Sequence, residues 1–290
     1  MENKETVLVT GGSGFIGSHC IIQLAAAGYN VKATVRDLSR TNKLNQILLT
    51  GLEKHEGKSD LSVDWQVTNL SSDEGWDEAM AGCDYVLHVA SPITMQLPKD
   101  EDEMVKPAVE GTLRVLKAAS KAGVNRVVIT SSVAAIMYGT DKQGIFNEED
   151  WTDPKSKTTN VYAKSKTLAE QAAWDFMKQD TSGMELSTVL PAMVFGPILE
   201  EDFGVSVGAI LDMMNGKYPI VPNWDMGVVD VRDVASLELL AMTKPEAAGK
   251  RFVCSAENMF MKDQNEYLSE LFPESAAKIP KRVAPNWLIK

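Results

Sequence analysis

Tyr162 and Lys166 stand four residues apart in "VYAKSKTLAEQAAW", a stretch rich in strong helix formers. That spacing places both side chains on one face of a helix, one turn apart. A phenol with an ordinary pKa of about 10 is a poor acid–base group at neutral pH. An ammonium beside it favours the phenolate and lowers that value, and the same ammonium can hydrogen-bond a cofactor ribose. Upstream, "RVVITSS" ends in Ser131 and Ser132. In open parallel sheets ligands bind beyond the carboxyl ends of the strands, where a serine can donate to a substrate carbonyl. Each motif has a plain reading as well: YxxxK occurs on many helix surfaces, and paired serines form turns. The surrounding elements decide.

Those elements alternate over the first 190 residues. Short runs rich in Val, Ile and Leu predict strands at Val7–Thr10, Asn30–Val35, Ser62–Val67, Tyr85–Val89, Arg126–Ser131 and Glu185–Leu190. Runs that are apolar throughout read as parallel strands buried on both faces. Helical patterns fall between them at Gly14–Ala27, Trp76–Ala81, Glu103–Ala122 and Val161–Lys178. The alternation implies right-handed crossovers and an α/β, doubly wound, Rossmann-type parallel sheet. After Pro191 the pattern loosens. A short helix is expected near Val207–Asn215, a loop over "GKYPIVPNWDMG", and a strand end with a capped helix in "VVDVRDVASLELLAM". One more strand follows in "GKRFVCS", then a helix at Met261–Leu271. The expected division is a dinucleotide-binding domain over residues 1–190 and a smaller substrate-binding lobe over 191–290, with about 228–254 returning to the main sheet.

The turn after the first strand reads "TGGSGFIG". Gly11, Gly14 and Gly17 give GxxGxxG, and Gly12, Gly14 and Gly17 also satisfy GxGxxG. Small residues there serve a tight turn, close approach to a pyrophosphate, and close helix–sheet packing. The helix N-terminus then offers free N–H groups and its positive end to the phosphates. At the end of the second strand, "ATVRD" puts Arg36 19 residues beyond Gly17, with Arg40 and Lys43 following. A carboxylate at this place holds the ribose of NAD, whereas a guanidinium grips the 2′-phosphate of NADP bidentately. Three cations in eight residues of an acidic chain point to NADP, with Asp37 keeping NADH as the lesser choice.

The chain has 290 residues, 44% of them hydrophobic, and a formal net charge of −11. That charge argues against nucleic acid or an anionic membrane as partner. No run is long and apolar enough to span a bilayer and no signal peptide is evident, so the cytoplasm is the expected compartment. Cys20, Cys83 and Cys254 are far apart, and His19, His55 and His88 are equally scattered. Neither set has metal-ligand or disulfide spacing, so no metal is assigned. His88, inside "YVLHVAS", reads as a packed strand histidine.

The stretches "TGGSGFIGSH", "ATVRD", "HVASP", "EGTLRVLKAA", "VVITSS", "YAKSKTLAEQAAW" and "VFGP" together resemble the extended short-chain dehydrogenase/reductase family, in its dihydroflavonol 4-reductase branch. That branch also holds cinnamoyl-CoA reductases and broad carbonyl reductases, and the resemblance runs nearly end to end. It implies a catalytic group of Ser132, Tyr162 and Lys166 and hydride transfer from the pro-S face of the nicotinamide. It implies cofactor contacts at Gly11, Gly14, Phe15, Ile16, Gly17, Arg36, Lys43, Leu70, Val89, Ala90, Ser91, Thr130, Pro191, Val194 and Ser206, with Tyr162 and Lys166 on the ribose side. Where the family has "DL" near the adenine this chain has Asn69–Leu70, an amide that still hydrogen-bonds. Ala108 stands where many members carry an Asn, and Met137 where flavonoid enzymes carry one. The chain ends at "PNWLIK", short of the family norm, so either a C-terminal segment is missing or the lobe is reduced.

The resulting expectation is an NADPH-dependent reductase of aldehydes or ketones acting on a small carbonyl compound. Substrate contacts are expected around Ile93–Leu97, Ala134–Tyr138, Ile198–Val207 and Tyr218–Met226. Met95, Met137, Met213, Met214 and Met226 could make that pocket apolar, although core packing explains any one of them equally well. The rivals are a nucleotide-sugar epimerase or dehydratase on the same scaffold, which consumes no NADPH, and a non-catalytic NADP-binding sensor, which needs no Tyr–Lys register. Oligomeric state is not legible in the chain.

Overall fold

Val7, Leu8 and Val9 are fully buried in β1 (Thr6–Thr10), an interior strand of the computed structural model, which describes residues 4–58, 60–92, 98–199 and 203–285. Around β1 lie β2 (Asn30–Val35), β3 (Val63–Val67), β4 (Tyr85–His88), β5 (Arg126–Thr130), β6 (Glu185–Pro191) and β9 (Arg251–Cys254), all parallel, in the order β3-β2-β1-β4-β5-β6-β9. The order reverses between β1 and β4, which is the place where an open sheet leaves a crevice. The expected doubly wound Rossmann-type sheet is present, and no limit of the six expected strands differs from expectation by more than one residue. Burial on both faces holds for β1 and β5 but not for β3, an edge strand whose Val67 is 48% exposed.

Helices α1 (Phe15–Ala27), α3 (Trp76–Met80), α4 (Asp102–Ala122) and α5 (Val161–Met177) match the expected segments closely. A further helix, α2 (Thr41–Glu56), follows β2 and was not anticipated there. Its signal is Leu44, Leu48 and Leu52, spaced one turn apart and buried, outnumbered by polar neighbours. Each such leucine contributes about 1.5–3 kcal/mol by leaving water.

Beyond β6 the chain forms a second, three-stranded sheet in the order β10-β8-β7, from β7 (Met193–Phe195), β8 (Asp225–Asp230) and β10 (Glu257–Phe260). The segment expected to be loop therefore ends in a strand from Asp225 onward. Helix α6 (Gly204–Met214) begins three residues before the expected start, and α8 (Met261–Leu271) lies as expected. Asp230 closes β8 and caps α7 (Val231–Thr243), accepting from the Arg232 N–H at 2.8 Å. The other end of α7 is tied to the main sheet. Buried Arg126 of β5 donates to the carbonyls of Ala241, Met242 and Lys244 while pairing with Glu185. Through that clamp α7 lays its buried face, including Glu238, against the main sheet.

Candidate active site

The glycines shape the turn at the switch point. Gly11 has φ +69°, a left-handed value suited to glycine, and its carbonyl accepts the Gly14 N–H at 3.0 Å. A Cβ on Gly17 would stand 2.3 Å from that carbonyl oxygen, and one on Gly14 would stand 3.3 Å away. Gly12 instead presses on β2, where a Cβ would meet Ala33 at 2.8 Å. So GxxGxxG describes the turn, and Gly12 serves sheet packing. Helix α1 starts at Phe15 and Ile16 with no side-chain cap and no acid in its first turn. Its first N–H groups and positive end are left to a ligand anion, which is the fit a dinucleotide pyrophosphate requires.

The remaining predicted residues lie along the carboxyl edge of the sheet. Arg36 follows β2 and Lys43 sits in the first turn of α2, both exposed. Asp37 is occupied locally: it accepts from the Ser39 N–H at 2.8 Å and hydroxyl at 2.5 Å, bonds that hold its carboxyl below the usual range. Among the described residues the Arg36 guanidinium has no such local tie. Asn69 turns the chain after β3, its Oδ1 accepting from the Ser71 N–H, and Arg114 fixes the loop through the Leu70 carbonyl at 2.8 Å. Val89, Ala90 and Ser91 run on from β4, with the Ala90 N–H on Thr10 Oγ1. Pro191 ends β6; the Val194 N–H donates to Ser206 Oγ at 3.3 Å, joining β7 to α6. Leu70, Ala90, Ser91, Thr130 and Lys166 line one narrow cavity of about 20 Å³ with His88. Arg36, Lys43, Asn69, Val89, Pro191, Val194 and Ser206 lie outside its walls, as do the glycine turn, Ser132 and Tyr162.

Asn160 sets the start of α5 by accepting the Ala163 N–H at 2.8 Å, which places Tyr162 in the first turn and Lys166 one turn deeper. The two serines separate cleanly. Ser131 Oγ donates to the buried Glu170 carboxylate at 2.5 Å, whereas Ser132 begins a short 3-10 turn and faces the Tyr162 phenol. Burial pushes the Tyr162 phenol up, the reverse of the lowering expected from a lysine one turn away, and only the Ser132 hydroxyl opposes that rise. Lys166 is directed elsewhere than expected: its Nζ donates to the Thr130 carbonyl at 3.1 Å. Burial drives its pKa down to about 8 against the pull of Glu170 and Glu238.

Beneath these groups lies a buried polar layer that motif reading did not find. Glu170 also accepts from Thr188 and Arg251, and Arg251 stacks on Trp151 at 3.7 Å. Glu238 accepts the Thr130 hydroxyl at 2.6 Å, and burial raises its carboxyl to about 7. His88 is packed, as its strand context suggests; it bonds Thr10 Oγ1 at 2.8 Å and burial pushes it down to about 3, so it stays neutral. Glu170 and Glu238 stand at helical spacings that any amphipathic helix shows, so nothing in the sequence marks them.

Residues 7–255 match the model of the NAD dependent epimerase/dehydratase family. The chain belongs to that family. Among relatives, it is 35% identical over 287 residues to cinnamoyl-CoA reductase CAD2 of Medicago truncatula, covering 97% of this chain and 84% of that one. It is 33% identical to a dihydroflavonol 4-reductase of Arabidopsis thaliana, covering 94% of this chain and 71% of that protein. Among solved structures, yeast methylglyoxal/isovaleraldehyde reductase Gre2 complexed with NADPH superposes with a TM-score of 0.80 at 29% identity, over 95% of this chain and 85% of the other. The motif resemblance to the dihydroflavonol reductase branch is thereby confirmed.

The expected substrate segments are only partly open in this epimerase/dehydratase-family chain. Ala134, Ala135 and Ile136 are buried; Met137 is exposed and Tyr138 half-buried. Met213 is core, and Met214 and Met226 are half-buried. Met95 with Ile93–Leu97, and residues 200–202 of the Ile198–Val207 segment, lie outside the described residues. Among the described residues no group of three or more His, Cys, Asp or Glu is placed to hold a metal ion, and no helix is long and apolar enough to cross a membrane.

Proposed function

We propose that this protein is an NADPH-dependent carbonyl reductase acting on small aldehydes or ketones. The observation that carries the reading is Ser132 facing Tyr162 at the carboxyl edge of the sheet, one helical turn above buried Lys166. When bound, the nicotinamide supplies hydride to the carbonyl carbon. The chain supplies the rest. Ser132 polarises the carbonyl oxygen, and Tyr162 donates its proton to the developing alkoxide. The phenol is protonated at neutral pH, so the proton is present to be given, and Ser132 limits the burial-driven rise that would weaken it as a donor. Lys166, held by the Thr130 carbonyl, keeps a donor beside the ribose and restores charge balance when the phenolate forms.

On this reading Gly11, Gly14, Phe15, Ile16 and Gly17 cradle the pyrophosphate, and Arg36 with Lys43 holds the 2′-phosphate. Asn69 and Leu70 flank the adenine, and Val89, Ala90, Ser91, Thr130, Pro191, Val194 and Ser206 complete the cofactor wall. Residues 1–190 then serve chiefly the cofactor and 191–290 the substrate, with α7 and β9 returning to the main sheet. Relatives that reduce cinnamoyl-CoA, dihydroflavonols or methylglyoxal support reduction over epimerisation. Three free, buried cysteines suit a reducing compartment such as the cytoplasm.

The test is NADPH oxidation over a panel of aldehydes, diketones, keto esters and dihydroflavonols. Tyr162→Phe should lose about 10²–10⁴-fold in kcat with NADPH affinity nearly unchanged. Turnover near the wild-type rate in that variant would end the mechanism.

A further inference from the structure

Thr130 has a buried base on one side and a buried acid on the other. Its main-chain carbonyl accepts Lys166 Nζ at 3.1 Å, and its hydroxyl donates to Glu238 Oε1 at 2.6 Å. Glu238 is fully buried, and its second oxygen, Oε2, has no partner among the described residues. A carboxyl kept dry with a vacant oxygen is costly, so its retention beside the site calls for a compensating charge.

The groups facing this pair leave few choices. On α5, Glu170 is matched by Arg251 of β9 in a buried ion pair at 2.7 Å and by two hydroxyls. On β4, His88 is neutral. Cys20 of α1 and Cys254 of β9 feel the Glu238 charge, but burial holds both thiols protonated. Both carboxylates pull on Lys166, Glu170 the more strongly, but Glu170 shares its charge with Arg251, whereas Lys166 is the one cation acting on Glu238 among the described residues.

We infer that Glu238 is a positioning residue for Lys166: across Thr130, its carboxylate supplies the negative charge that keeps the buried ammonium protonated. This deepens the reductase reading and rests on it for the role given to Lys166. Burial lowers the lysine and raises the acid, and each group opposes the shift of the other. The pair is fully charged only in the window between the two values. Below it Glu238 takes a proton, and above it Lys166 loses one.

Glu238→Gln keeps the size and an acceptor for Thr130 but removes the charge. With lysines labelled at 13Cε and Lys166 assigned through Lys166→Arg, NMR titration of the protein without added cofactor reads the ammonium directly. Its midpoint should fall by roughly one pH unit or more in Glu238→Gln. The alkaline limb of kcat/KM should move down equally. Linkage is reciprocal, so Lys166→Met should raise the Glu238 13Cδ midpoint by a similar amount. That arm stands even if Glu238→Gln does not fold. Midpoints unchanged to within about 0.3 unit in either experiment would overturn the inference. A wild type that reduces no carbonyl compound would overturn the reductase reading instead, and the NMR midpoints would still decide the coupling.

Discussion

Under the carboxyl edge of the main sheet, His88, Lys166, Glu170 and Glu238 are exposed by 8% or less, while Trp224, Phe260, Tyr267 and Leu271 around the smaller sheet are exposed by 45–59%. The usual arrangement is inverted in both places, with ionisable groups inside and large apolar ones outside. The buried layer is stable because nearly every polar atom has a partner: hydroxyls of Ser131, Thr130 and Thr188, the Arg251 guanidinium, and the Thr10 hydroxyl on His88. The smaller sheet has no such closure. On the proposed division, this exposed apolar surface would be the one that meets the substrate. If the proposed division holds, cofactor chemistry and substrate choice rest on unlike physical foundations.

Four substitutions probe that contrast, in descending order of effect. Gly17→Val forces a side chain into the Gly11 carbonyl and should destabilise the protein by about 3 kcal/mol or more in urea unfolding, with NADPH binding lost. Wild-type stability there would mean the turn is soft. Arg36→Asp should weaken NADPH about ten- to a hundredfold at fixed ionic strength and spare NADH. Because Ser39 already occupies Asp37, equal NADPH affinity in variant and wild type would remove the main support for NADP.

The third probe uses pH. His88 resists protonation in the folded state down to about 3, while the unfolded chain takes the proton near 6.5. Stability should therefore fall as pH drops below about 6.5, by up to about 1.4 kcal/mol per unit. His88→Asn removes that slope, so its deficit relative to wild type should shrink on acidification. Parallel pH dependences would show that His88 is hydrated. The smallest effect belongs to the outer sheet. Trp224→Ser should change stability by no more than about 0.5 kcal/mol while raising KM for an apolar carbonyl compound a fewfold. A large loss of stability there would erase the contrast between the two regions.

Legibility divides along the same line. "TVLVT" followed by "TGGSGFIG", and "RVVITSS" followed by "VYAKSK", carry local signals: apolar strands, glycines at a turn, and a four-residue helical register. Those sufficed for the doubly wound sheet and for placing Ser132, Tyr162 and Lys166 at one edge. Helix α2 was missed because Leu44, Leu48 and Leu52 are sparse among polar residues, and its burial depends on α1 and β2 arriving beside it.

By itself the sequence determined the parallel sheet, the glycine turn and the Tyr162–Lys166 register, since backbone stereochemistry and helical periodicity act within a few residues. Only the tertiary structure decided which serine faces the phenol, that Asp37 is spent on Ser39, and that Lys166 turns to Thr130. It alone also brought Glu238, 72 positions from Lys166 in the chain, to the back of Thr130. The physical reason is that burial and charge pairing depend on three-dimensional neighbours, and residues from β4, β5, α5, α7 and β9 meet only when the sheet closes over its helices.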